Sequence, residues 1–211
     1  MSPFITFEGG EGSGKTTQIA SLAEWLRGRG DTVLATREPG GDAVAESIRS
    51  VLLEPGSPVH PRTELLLFLA ARAQVTEQVI RPALDRGEIV LCDRFIDSTV
   101  VYQGHARGHD LTMVRDLNAV ATGNLLPNLT ILLDIDVEIG LARQQDRNRM
   151  EDEAVEFHEA VRAGYLAEAA LFPERFVIID ASLPAKEIGK IIHKVVIDHC
   201  PSLCRRLVPR D

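Results

Sequence analysis

Eight consecutive residues, Gly9-Gly10-Glu11-Gly12-Ser13-Gly14-Lys15-Thr16, leave this chain few folds to choose from. They fit the pattern G-x-x-x-x-G-K-[ST], with the β-rich run Phe4-Ile5-Thr6-Phe7 before them and helical spacing after them. Glycines let consecutive backbone N–H groups turn inward around phosphate oxygens, and the following helix adds the positive end of its dipole. Gly9, Gly10, Glu11, Gly12, Ser13, Gly14, Lys15, Thr16 and Thr17 therefore form the expected cradle of a nucleoside triphosphate. Lys15 reaches its terminal phosphates, and the Thr16 hydroxyl is placed to ligate Mg²⁺.

The rest of the chain alternates strand and helix, as a parallel α/β sheet requires. After the first strand, apolar positions at helical spacing over residues 15–28 end in Gly28 and Gly30. A second strand is expected over 32–36 and a helix over 43–53. A long helix over 63–86 follows, with a kink at Pro82 and Gly87 closing it. Further strands fall at 88–92, 129–133 and 176–179, and helices at 97–104, 111–122 and 185–199. Residues 143–153 break the pattern: Arg143, Arg147 and Arg149 alternate with polar residues and have no apolar face.

The 211 residues suit one domain, with 45% hydrophobic and 26% charged residues sufficient for an ordinary buried core. A net charge of −8 argues against a polymeric nucleic-acid partner, whose backbone calls for a basic face. No apolar run approaches the roughly 20 residues that span a bilayer, and the N-terminus lacks a basic leader, so the expected location is the cytoplasm. Three cysteines (Cys92, Cys200, Cys204) do not make a disulfide framework. His199, Cys200 and Cys204 lack the second pair that a closed zinc site needs.

Charged groups gather where the strands end. Asp93 closes an apolar strand, the position of an aspartate that organises Mg²⁺ and its waters, and Arg94 is next to it. Arg37-Glu38-Pro39-Gly40-Gly41 follows the second strand, and Arg49 lies on the next helix. Open α/β sheets bind ligands beyond the carboxyl ends of their strands, so these groups converge on one anion pocket facing the triphosphate. Transfer between two phosphates requires positive charge and exclusion of water, which a short arginine-containing lid over 143–153 supplies.

Four stretches together resemble the thymidylate kinase family: Phe7-Glu8-Gly9 with Glu11 through Thr17; Arg37 through Gly41; Leu66-Leu67-Phe68-Leu69-Ala70-Ala71-Arg72; and Asp93-Arg94-Phe95 through Ser98-Thr99 to Tyr102-Gln103-Gly104. The resemblance runs from about residue 4 to 195. It implies a P-loop kinase fold with a five-stranded parallel sheet, a single domain over 1–211 and a lid near 143–153. It also implies ATP and dTMP as substrates, Mg²⁺ as cofactor and a homodimer. Phe68 is expected to stack on thymine and Arg72 to bond its exocyclic oxygen; the two share a helix face at i, i+4. Arg94, helped by Arg49, would hold the acceptor phosphate. Ser98, Thr99 and Gln103 would lie near the base, Tyr102 against the deoxyribose, Glu11 near the sugar 3′-hydroxyl and Pro39 in the same acceptor pocket.

None of the variable P-loop positions, Gly10, Glu11, Gly12 and Ser13, is basic, so the resemblance implies that Arg143, Arg147 and Arg149 inherit the catalytic role that the bacterial class gives to its lid. Asn148-Arg149-Met150-Glu151 resembles the lid end, and Phe157-His158 to Tyr165-Leu166 the helix after it. Asp42 departs from the threonine usual after Pro-Gly-Gly. The alternatives are another nucleotide kinase, a nucleotide-state switch and a silent nucleotide-binding module. A switch of the GTPase kind needs an Asn-Lys-x-Asp guanine reader, which Asn128-Leu129-Thr130 is not; a silent module needs a damaged P-loop, and this one is intact.

Overall fold

The computed structural model describes residues 2–143 and 149–200. Five parallel strands form one sheet among these residues, in the order β2-β3-β1-β4-β5. The strands are β1 (Phe4–Glu8), β2 (Val33–Arg37), β3 (Ile89–Asp93), β4 (Leu129–Asp134) and β5 (Phe176–Asp180). β1 lies at the centre and every one of its residues is buried, which is why it reads as a continuous apolar run rather than an alternating one. The order reverses at β1, whose neighbours are β3 and β4, so a crevice opens beyond its carboxyl end.

On one face of the sheet, α1 (Lys15–Gly28) and α9 (Ala185–His199) close a core built from Ile5, Phe7, Leu22, Leu26, Ile131 and Ile192. On the other face, α3 (Pro61–Val75), α4 (Arg81–Asp85), α5 (Ile96–Thr99) and α8 (Val155–Leu171) cover smaller clusters around Phe4, Val90, Phe95 and Tyr165. The helices α2 (Ala43–Leu53) and α6 (Leu111–Thr122) pack on α3. Asp42 caps α2: its carboxylate accepts from the amides of Val44 and Ala45. Aspartate therefore serves here as an N-cap, a role that threonine also fills.

Two predicted helices differ in detail. The stretch read as 63–86 starts at Pro61 and widens into a π turn over Thr76–Ile80, before Pro82 rather than at it. Pro82 has no N–H and crowds the carbonyl four residues back, and the wider turn accommodates both. The stretch read as 97–104 is α5 followed by a second π turn, Val100–Ala106. α7 (Val137–Ala142) has no periodicity long enough to read. The stripe that α8 buries mixes His158 and Glu168 with Val161, Tyr165 and Ala169, so apolar spacing alone does not announce it.

Candidate active site

The loop after β1 packs directly on α7. A Cβ at Gly12 would stand 2.0 Å from the carbonyl oxygen of Gly140, and one at Gly140 would stand 2.4 Å from that of Glu11. Gly12 also has φ 67°, so both its conformation and its surroundings exclude a side chain. The ammonium of Lys15 bonds the carbonyls of Gly9 and Gly10 and the Ser13 hydroxyl at 3.1, 2.9 and 3.2 Å. Burial and the neighbouring Arg94 lower its pKa, against the pull of Asp93 and Glu11. Thr16 Oγ1 donates to Asp93 Oδ2 at 2.9 Å, which brings both expected metal-site residues together. Among the described residues no cluster of three or more His, Cys, Asp or Glu is arranged to hold a metal. Mg²⁺ keeps several waters and leans on substrate phosphates, so one hydroxyl and one carboxylate beside the loop fit it.

Loop, β2 end and β3 end surround an open cleft of about 1250 Å³, lined by Lys15, Thr16, Arg37, Arg49, Asp93, Arg94 and Arg143 among others. A side cavity of about 110 Å³ opens beside it, lined by Glu11, Pro39, Arg49, Phe68, Arg94, Ser98, Thr99, Tyr102, Gln103, Met150 and Glu151. Arg94 stands between the two. Its backbone takes φ 69°, a strained conformation for a residue with a side chain. Its guanidinium donates to Glu11 Oε1 at 2.8 Å and to the Gly9 carbonyl at 3.2 Å, and it lies over the Tyr102 ring. Burial opposes the Arg94 charge, but Glu11 and the tyrosines more than offset it and its pKa rises. Glu11 also accepts from the Tyr102 hydroxyl. Burial would push that carboxyl up; Arg94 and Lys15 outweigh burial and take it down to about 2.

Behind Arg94 lies Glu8, fully buried at the end of β1. It accepts from the Phe95 amide, the Ser98 hydroxyl and the Tyr165 hydroxyl at 2.7, 2.6 and 2.8 Å. Burial first, then Asp97, pushes it up to about 7. Glu8, Tyr165 and Glu64 have no role in the sequence reading. The one available signal was a carboxylate inside an otherwise apolar strand, which at that position must be satisfied by partners.

Two expected residues stand differently from their expected placement. Arg72 is 2% exposed and does not line the cavity; four of its five N–H donors go to Glu38, Thr99, Asn118 and the Phe95 carbonyl among the described residues. A guanidinium this buried must be paired, and Glu38, which burial pushes up to about 7 against the pull of Arg72, is its partner. Arg149 lines neither the cleft nor the cavity. It turns toward the carbonyl of Leu52 and pairs with Glu64 at 2.8 Å. Arg143 does reach the cleft, where it donates to the carbonyls of Gly12 and Ala181. Arg147 lies outside the described residues, as do Cys204 and the rest of 201–211.

The thymidylate kinase family model matches residues 7–192. Thymidylate kinases of Citrifermentans bemidjiense and Thermomicrobium roseum are each 50% identical to the chain. The first alignment covers 96% of this chain and 95% of the relative, the second 94% and 96%. The crystal structure of thymidylate kinase from Ehrlichia chaffeensis superposes with a TM-score of 0.77 at 36% identity, covering 92% of this chain and 98% of that one. A P-loop at the switch point of a parallel sheet, with an arginine- and aromatic-lined cavity beside it, agrees with full-length matches of this strength: the chain belongs to the thymidylate kinase family.

Proposed function

We propose that the open cleft binds ATP and the side cavity binds dTMP, the whole of 1–211 acting as one catalytic domain. The chain transfers the γ-phosphoryl of ATP to dTMP, giving dTDP and ADP in dTTP synthesis. One observation carries the site assignment: Arg94, pinned by Glu11, stands where the cleft meets the cavity. It meets an acceptor phosphate from one side while the P-loop presents the donor from the other.

In this reading the backbone amides of Gly9 to Thr17 hold the donor phosphates, and Lys15 exchanges its loop carbonyls for phosphate oxygens. Thr16 and Asp93 hold Mg²⁺, which, when bound, neutralises charge on the transferred group. Arg49 supports Arg94 at the acceptor phosphate; Phe68 and Tyr102 flank base and sugar, and Ser98, Thr99 and Gln103 line the base pocket. Arg72 acts behind that wall by fixing Thr99, which lines the cavity. No general base is required, since a phosphate monoester is already largely ionised, its second pKa being about 6. Arg143 is the described lid arginine placed to stabilise developing charge, and Arg147 is assigned the same role. Arg149 is placed to anchor the lid end.

A homodimer and a cytoplasmic location, where the ATP and nucleotide pools are, complete the proposal. No described helix is long and apolar enough to cross a membrane. The test is ADP release with ATP and a panel of dTMP, dUMP, dCMP, AMP, GMP and UMP, with and without Mg²⁺. Preference for dTMP and dependence on Mg²⁺ are expected; turnover of another monophosphate ahead of dTMP would remove the thymine assignment of the cavity.

A further inference from the structure

Glu64 is a buried carboxylate on α3, four residues before Phe68 and on the same face. It touches neither the cleft nor the cavity, yet three hydrogen-bond donors and a second guanidinium converge on it. Gln103 Nε2 donates to Oε1 at 3.0 Å, Arg107 bonds both oxygens at 3.2 and 3.3 Å, and Arg149 pairs with Oε2 at 2.8 Å. Two guanidiniums keep the carboxyl ionised, and its pKa lies below the usual carboxylate range because these donors outweigh burial. An ionised carboxylate only accepts hydrogen bonds. The amide of Gln103 is thereby held one way round: its NH₂ faces Glu64, and a flip would set its oxygen against a carboxylate oxygen. With the NH₂ so engaged, the amide oxygen is the group of Gln103 left for the cavity that this residue lines.

We propose that Glu64 is a positioning residue for base selection, locking Gln103 so that the pocket offers a hydrogen-bond acceptor to the base edge. Thymine and uracil carry an N–H donor at ring position 3, whereas cytosine carries an acceptor there. The locked amide thus favours an imide base and leaves cytosine facing oxygen against nitrogen lone pair. With Glu64 neutral, the amide turns freely and the preference weakens. The proposal rests on the base occupying this cavity.

The experiment compares kcat/KM for dTMP and dCMP in wild type, Glu64→Gln, Gln103→Met and the double variant, with circular dichroism as a check on folding. In Glu64→Gln the dTMP/dCMP ratio is expected to fall at least about tenfold, the worth of one charge-supported hydrogen bond, with KM for ATP within about twofold of wild type. Gln103→Met is expected to lose the same discrimination, and the double variant to lose no more than Gln103→Met alone, because the two residues act as one unit. A wild-type ratio in folded Glu64→Gln, or additive losses in the double variant, would overturn the proposal. If Glu64→Gln does not fold, an unchanged ratio in Gln103→Met overturns it on its own. Phe68→Ala separates the premise: unchanged KM for dTMP there would mean that the base lies elsewhere, and the inference falls with it.

Discussion

At the scale of single residues, the site is organised by carboxylates that sequence patterns undervalue. Glu11 is held ionised by Arg94 and Lys15, and in return fixes the Arg94 guanidinium and the Tyr102 hydroxyl. Glu8 is the opposite case, pushed up to about 7 by burial and Asp97. A raised carboxyl binds its proton more tightly in the folded chain than in the unfolded one, where its value is 4.5. Its contribution to stability is therefore fully present below 4.5 and is lost as pH rises through about 7. Glu8→Gln removes that titration while keeping the shape. The Tm difference between variant and wild type is expected to move in the variant's favour from pH 5 to pH 8, by on the order of 1–3 kcal/mol or several degrees. A difference that is constant across that range would show that Glu8 is ionised throughout. Arg94 was legible from Asp93-Arg94 at a strand end, and so was Phe68 from its neighbours. The partners of Arg72 and Arg149 were not, because Glu38 and Glu64 meet them across sequence separations that no local pattern encodes.

At the scale of elements, boundaries followed local chemistry closely. α1, α2, α6 and α9 begin and end where caps, glycines and apolar spacing place them. α7 escaped because six residues make fewer than two turns, yet it forms one wall of the P-loop through Gly140. Propensity alone predicts that Gly140→Ala stabilises the helix by about 1 kcal/mol. The new Cβ would stand 2.4 Å from the Glu11 carbonyl oxygen. Overpacking of that kind costs about 1–3 kcal/mol and falls here on backbone that has to move. Gly140→Ala is expected to lower Tm and to raise KM for ATP several-fold, read from a thermal melt and initial rates. A higher Tm with wild-type KM would show that the loop yields without cost.

At the scale of the whole molecule, α2, α3 and α6 pack side by side and expose Val44, Val51, Leu66, Met113 and Val120. The proposed homodimer is assigned to these helices, where association of two copies would cover exposed apolar groups. Light scattering at micromolar concentration is expected to give twice the mass of one chain, and Leu66→Glu to halve it. A wild-type monomer would remove the homodimer. The sequence by itself determined the sheet class, the position of the P-loop and the chemistry of the strand ends. Those depend on backbone freedom, spacing and capping, all of which act within a few residues. Tertiary structure alone decided which buried polar groups meet: Glu8 with Tyr165, Arg72 with Glu38, Glu64 with Arg149 and Gln103. A buried charge takes the partner that the completed fold brings within hydrogen-bond distance, and that choice exists only once the sheet and helices have assembled.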